Sequence, residues 1–160
     1  MAKLKYGVVG SSQVPLVPFC EGGFLASDVL SAKSGRFVVY DESDAYWRAA
    51  NSGEATFNGY VEQHLTFSTT SGAKLPIFDI RGLTFELPWA NATDVTTQLT
   101  QATLDALIGQ LCDLYVASNI QYADAGATSD NIFRIVGGDP NEGAGTLYVQ
   151  VVDTAIQDIA

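Results

Sequence analysis

The sequence predicts an all-β fold, mainly β with one short helix: a small β-barrel or sandwich with an extended N-terminal arm. Three observations carry this. Short runs rich in β-branched and aromatic residues recur at close spacing along the chain. Glycine, proline, asparagine and serine punctuate them, supplying the positive φ or fixed φ that turns require. Only one segment has helical periodicity, so the pattern suits a barrel or sandwich better than alternating strand and helix units.

In chain order, Gly10 to Gly23 mixes small polar residues with Pro15, Pro18 and a compact apolar cluster. The prolines bias Val14 and Val17 toward extended backbone, so residues 1–23 are expected as an arm rather than a helix or a central strand. Its apolar side chains must be covered. An arm wrapped on its own domain and a strap inserted into a neighbour both do this, and Val14, Pro15, Leu16, Val17, Pro18 and Phe19 are the candidate interface residues. Residues 24–160 are expected as a single β-rich domain with a short helix near 100–109.

Strand signals follow at Phe37–Tyr40, Gly59–Val61, His64–Phe67, Leu83–Leu87, Leu114–Val116, Asn131–Val136 and Thr146–Val152. Turn signals separate them at Ser34-Gly35, Asn51-Ser52-Gly53, Ser71-Gly72, Ser118-Asn119, Gly137 to Asn141 and Gly143-Ala144-Gly145. Within Thr100–Gly109, Thr100 suits an N-cap, Leu104, Leu107 and Ile108 fall at helical spacing, and Gly109 suits the C-terminal cap. Such a helix is too short to stand alone and must cover a sheet face or plug a barrel end. The segments 37–40, 46–50 and 57–61 also follow the same order as 113–116, 121–125 and 133–137, suggesting two hairpin units of similar design.

The chain has 160 residues, 47% hydrophobic and 16% charged, enough for one globular domain with a substantial core. Eight Lys and Arg against eighteen Asp and Glu give a net charge of −10, a sign that opposes nucleic acid and anionic membrane surfaces as partners. Beyond Arg81 the only basic residue is Arg134, so the second half is strongly acidic. No apolar run approaches a membrane span, and no signal-peptide core follows Met1 to Tyr6, so a soluble protein made in the cytoplasm is expected.

The chemistry-bearing residues are sparse. His64 is the only histidine, and no Gly-x-Ser-x-Gly elbow or cysteine-centred motif accompanies it. Cys20 and Cys112 lie far apart, Cys112 within an apolar run that suits a small buried hydrophobe, and no cofactor or metal site is expected. The acidic loop Gly138 to Gly143 lacks the ligand spacing of a helix-loop-helix calcium site and reads as a turn, as does Asp41-Glu42-Ser43-Asp44. Phosphate-cradling glycine motifs are missing. Tyr122 to Asp130 is similar to the first motif of trimeric dUTPases, but the family's other motifs have no counterpart. No enzymatic activity is expected.

A binding or assembly role remains. The N-terminal apolar arm, the segment Ser34 to Tyr40, and the run from Leu107 to Val116 leading through Tyr122-Ala123-Asp124 to Phe133 through Asp139 together resemble head decoration (cement) proteins of tailed bacteriophages. The resemblance is one of pattern across Gly22 to Val152. It implies a non-enzymatic virion structural protein on the capsid surface, bound at junctions of the major capsid protein and commonly trimeric. No site residues carry over with it. The alternative is a carbohydrate or surface-binding β module that uses Tyr46, Trp47 and Trp89 as stacking platforms.

Overall fold

The computed structural model describes residues 7–11, 18–24, 36–43, 45–61 and 73–158. In chain order these form β1 (Gly7–Ser11), β2 (Pro18–Phe24), β3 (Arg36–Asp41), β4 (Tyr46–Ala49), β5 (Gly59–Val61), β6 (Ala73–Phe78), β7 (Leu83–Ala90), α1 (Gln101–Leu107), β8 (Leu111–Ala117), β9 (Ile120–Asp124), β10 (Phe133–Asp139) and β11 (Thr146–Val151), followed by a 3-10 turn at Asp153–Ala155. The fold is therefore all-β with one short helix, as the sequence predicts.

The strands form two units. β2, β4, β3, β5 and β6 close into a barrel, with β2 and β4 parallel and the other neighbours antiparallel. The second sheet runs β1-β7-β11-β10-β8-β9, and a further parallel pairing of β7 with β9 links the five strands β7 to β11 into a ring. Pairing for pairing, this ring repeats the barrel. Phe37 opposite Tyr60 and Tyr60 opposite Phe78 match Cys112 opposite Phe133 and Phe133 opposite Val151. Val38 opposite Ala49 matches Asp113 opposite Asp124. Phe24 opposite Ala73 and Gly22 opposite Leu75 match Pro88 opposite Thr146 and Glu86 opposite Tyr148. The parallel contact of Phe24 with Trp47 lies one step before that of Trp89 with Ala123, in the same register. Phe24 thus corresponds to Pro88, Phe37 to Cys112, Trp47 to Tyr122 and Tyr60 to Phe133.

Packing joins the units. One core cluster takes Phe37, Ala50, Phe57 and Tyr60 from the first unit and Leu83, Phe85, Leu87, Trp89, Leu114, Phe133, Ile135, Leu147 and Val149 from the second. The Phe37 ring lies 4.8 Å from Phe85 edge-on and 5.2 Å from Phe133, and Tyr60 lies 5.0 Å from Phe85. Aromatic pairs of this kind add about 0.5–1.5 kcal/mol each beyond the apolar area they bury. A smaller cluster of Val38, Trp47, Val61 and Ile77 occupies the opposite face of the first unit's strands.

Both ends of the described chain cross to the opposite unit. β1 adds to the free side of β7, pairing Gly7 with Glu86 and Ser11 with Leu83 around a bulge. At the other end, Phe57 N–H donates to the Ala155 carbonyl at 2.8 Å and Gln157 N–H donates to the Phe57 carbonyl at 2.8 Å. Asn58 Nδ2 adds a bond to the Gln157 carbonyl, and Arg81 pairs with Asp158 at 2.7 Å.

The helix falls where its periodicity places it. Thr100 is its N-cap, accepting from Thr103 N–H at 3.2 Å, and Leu104 is buried. Ile108 corrects the expectation: it lies past the last helical turn and is 51% exposed rather than on the buried stripe. Gly109, at φ +87°, and Gln110 together oppose Ile135, through Gly109 N–H to the Ile135 carbonyl and Ile135 N–H to the Gln110 carbonyl. That bulge turns the chain from helix into β8 and swings Ile108 outward.

Within the stretch expected as an extended arm, the described residues Gly7–Ser11 and Pro18–Phe24 correct that expectation, being strands of the chain's own sheets: β1 is an edge strand on β7, and β2 is a barrel strand paired with β6 along its length and with β4 at Phe24. The register bulge beside Pro18 lets this proline enter a barrel strand. After the helix the strands do not pair in simple sequence: β8 pairs with both β9 and β10, and β9 closes on β7. The strand expected at His64–Phe67 lies outside the described residues.

Candidate functional site

Among the described residues the buried polar or charged side chains are Glu86, Asp113, Gln121, Asp124 and Thr146. β8 and β9 set Asp113 directly opposite Asp124, so two carboxylates stand side by side on one face of a hairpin. Each faces a loop that the sequence fills with small residues. Backbone N–H groups of Ala92 (2.8 Å) and Gly126 (3.1 Å) donate to Asp124 Oδ1, and that of Thr93 (3.0 Å) donates to Oδ2. Asp113 accepts likewise from Ser129 (2.7 Å), Asp130 (3.0 Å) and Asn131 (2.7 Å). Charge-assisted bonds to backbone amides are what make a buried carboxylate tolerable. They also hold strained backbone: Ala92, Thr93 and Asn131 have φ of +51°, +70° and +54°. Gly126 is required here, because a Cβ at that position would lie 2.2 Å from the Ala92 backbone nitrogen. The pair is therefore a double clamp on the loops at 91–93 and 126–131.

Gln121 performs the same task between units. Its Oε1 accepts from Phe37 N–H at 2.9 Å, and its Nε2 donates to the carbonyls of Phe37 and Ala50 at 3.0 Å each. It is fully buried, so all three bonds form away from water. Glu86 accepts from the Thr146 hydroxyl at 2.8 Å, tying β7 to β11.

The residues singled out in the sequence are placed as follows. Val14, Pro15, Leu16 and Val17 lie outside the described residues. Pro18 and Phe19 lie in β2, with Pro18 opposite Phe78 of β6. Trp47 and Trp89 are 4% and 3% exposed, which corrects their reading as stacking platforms: Trp47 packs in the smaller core cluster, and Trp89 donates its indole N–H to the Thr97 carbonyl. Tyr46 is half-buried. Cys112 is fully buried, and desolvation, then the Asp113 and Asp124 charges, push its thiol pKa far above the usual range. Cys20 is half-buried, with its thiol pKa raised by burial, and both cysteines are free. His64 lies outside the described residues.

The two acidic loops are turns. Asp139 accepts from Asn141 N–H, and Asp41 accepts from the backbone and hydroxyl of Ser43. Among the described residues no three His, Cys, Asp or Glu side chains gather as metal ligands, and no helix is long and apolar enough to cross a membrane. An open groove of about 530 Å³ lies between Gln98–Gln101, at the start of α1, and Pro140, Asn141 and Gly143 of the β10–β11 loop. Gln98, Thr100, Gln101 and Asn141 line it together with Leu99 and Pro140. Among the described residues the exposed large apolar side chains are Ile108 and Val136, at 51% and 40%.

Sequence reasoning missed the clamp function of Asp113, Gln121 and Asp124. Each is an isolated polar residue in a largely apolar strand, and Gln121 and Asp124, three apart in β9, fall on opposite faces, so alternation does not group them. No protein-family model matches the chain, and no curated protein matches it.

Proposed function

We propose that this chain is a non-enzymatic virion structural protein that decorates and stabilises a phage capsid by binding at junctions of major capsid subunits. One observation carries the reading: the buried Asp113, Gln121, Asp124 and the Glu86–Thr146 pair direct their hydrogen bonds at the chain's own backbone and strands. These groups make a stiff body with fixed loops, which is what a staple between neighbouring subunits requires. Rigid loops lose little entropy on docking, so more of the contact energy appears as affinity.

Two further features support it. The pattern resemblance to head decoration proteins runs through both units, and apolar side chains stand in solvent at Ile108 and Val136. The acidic balance of the second half favours a basic or neutral partner surface. A homotrimer is the expected assembly.

The test is co-sedimentation of the purified full chain with assembled heads of the virus that encodes it, alongside unassembled capsid subunits, with the chain's mass measured in solution. Saturable uptake on assembled heads alone, by a trimer, is expected. Equal binding to unassembled subunits, or no uptake at any concentration, would overturn the proposal.

A further inference from the structure

The two units repeat one pairing scheme, yet they differ at one strand edge. β11 runs along one side of β7. On the other side, β1 covers Leu83 to Glu86, and β9 takes over at Trp89 and Ala90. Under the register equivalence, Thr84, Phe85 and Glu86 correspond to Cys20, Glu21 and Gly22 of β2. β6 runs along one side of those three residues, and on the other side β4 joins only at Phe24. Among the described residues, nothing in the first unit stands where β1 stands in the second.

We infer that the edge of β2 at Cys20–Gly22 is a strand-addition site that takes an extended polypeptide antiparallel to β2. The occupant is a segment of the capsid subunit that the chain decorates. The inference rests on the capsid-decoration reading and names the contact that reading needs. Main-chain hydrogen bonds give such a site its affinity, and side-chain alternation gives its specificity. The chain itself supplies the precedent: the corresponding edge of β7 accepts Gly7-Val8-Val9-Gly10-Ser11, a small, apolar strand preceded by Lys3 and Lys5. A chain of net charge −10 favours the same character in its partner, an uncharged strand with basic flanks.

The experiment uses the full chain and a synthetic peptide as probe. Gly10 faces Thr84 across the β1–β7 ladder, so a copy of β1 seated equivalently on β2 brings position 10 opposite Cys20. A peptide of residues 3–13 with Gly10→Cys is mixed with the protein in a glutathione redox buffer, beside a scrambled peptide of the same composition. Burial pushes the Cys20 thiol pKa up, and this slows both peptides alike. Seating raises the local thiol concentration, so the native-order peptide should form the disulfide with Cys20 about tenfold faster or more. Cys20→Ser should abolish the adduct, with Cys112 unmodified throughout. Equal rates for the two peptides would overturn the site. Chain blocked by the peptide is then offered to assembled heads. Loss of uptake supports the capsid segment as occupant, and unchanged uptake overturns it while leaving decoration through another surface intact.

Discussion

Replacing Asp124 with alanine tests whether the buried carboxylates are structural clamps. The side chain accepts three backbone amide hydrogen bonds between 2.8 and 3.1 Å and is 1% exposed. Each bond to a charged acceptor contributes about 1.5–3 kcal/mol, but the full sum overstates the loss. Ala92 and Thr93 are exposed, so their amides regain water once the loop lets go. Removing Asp124 also relieves the like charge of Asp113 directly across the ladder. Against this, the positive φ of Ala92 and Thr93 is no longer enforced, and the loop samples other conformations. The net expectation is a loss of about 2–4 kcal/mol, or roughly 6–12 °C in Tm for a chain of this size. Urea and thermal unfolding followed by circular dichroism measure it, with Asp105→Ala on the exposed face of α1 as the control. A loss below about 0.5 kcal/mol, the scale of an ordinary surface substitution, would refute the clamp.

The other predictions follow from neighbouring features. Gln121→Ala removes three fully buried bonds between the units and should cost about 2–3 kcal/mol, leaving the Phe37 amide unsatisfied; hydrogen exchange at Phe37 should rise with it. Gly145→Ala places a Cβ 2.3 Å from Leu99 Cβ at φ +118°, so it should destabilise by more than about 2 kcal/mol in the same unfolding assay. Native thiol titration should modify Cys20 slowly and Cys112 only after unfolding, since burial raises both thiol pKa values and Cys112 is fully covered. Asp94 accepts from the Thr96 hydroxyl and amide and from the Thr97 hydroxyl, which hold its pKa at about 2, below the ordinary 3.8. The lowered value means its contribution to the 94–97 turn is complete above about pH 4 and fades as pH falls toward 2; carboxyl NMR titration reads it directly.

What the sequence made legible was whatever depended on local pattern. Thr100, Leu104 and Gly109 defined the helix because capping and 3.6 periodicity act within a few residues. The strands at Leu83–Ala90 and Thr146–Val151 announced themselves by alternation. β2 and β6 did not, because Gly22, Gly23, Pro18 and Pro76 break the β pattern, and a closed barrel tolerates them at bulges and turns of register. The repeat was visible in its order but misregistered. The sequence places Phe37 against Asp113 and Phe57 against Phe133, whereas the ladders place Phe37 against Cys112 and Tyr60 against Phe133. A slip of one residue in a strand exchanges its faces, and aromatic residues at several nearby positions leave the alignment undetermined. Trp47 and Trp89 look alike in sequence whether they stack on a ligand or fill a core. The clamps were illegible for a related reason: their partners are backbone groups, loop amides for Asp113 and Asp124 and those of Phe37 and Ala50 for Gln121, which carry no sequence signal.

Under the proposed function the chain acts through mating surfaces on an assembled particle, and cryo-electron microscopy of heads assembled with and without the chain is the decisive experiment. The difference density should fit the paired barrel units at junctions between capsid subunits, with an added strand of capsid origin beside β2. Density confined to the tail or the interior, or identical maps from both preparations, would contradict it.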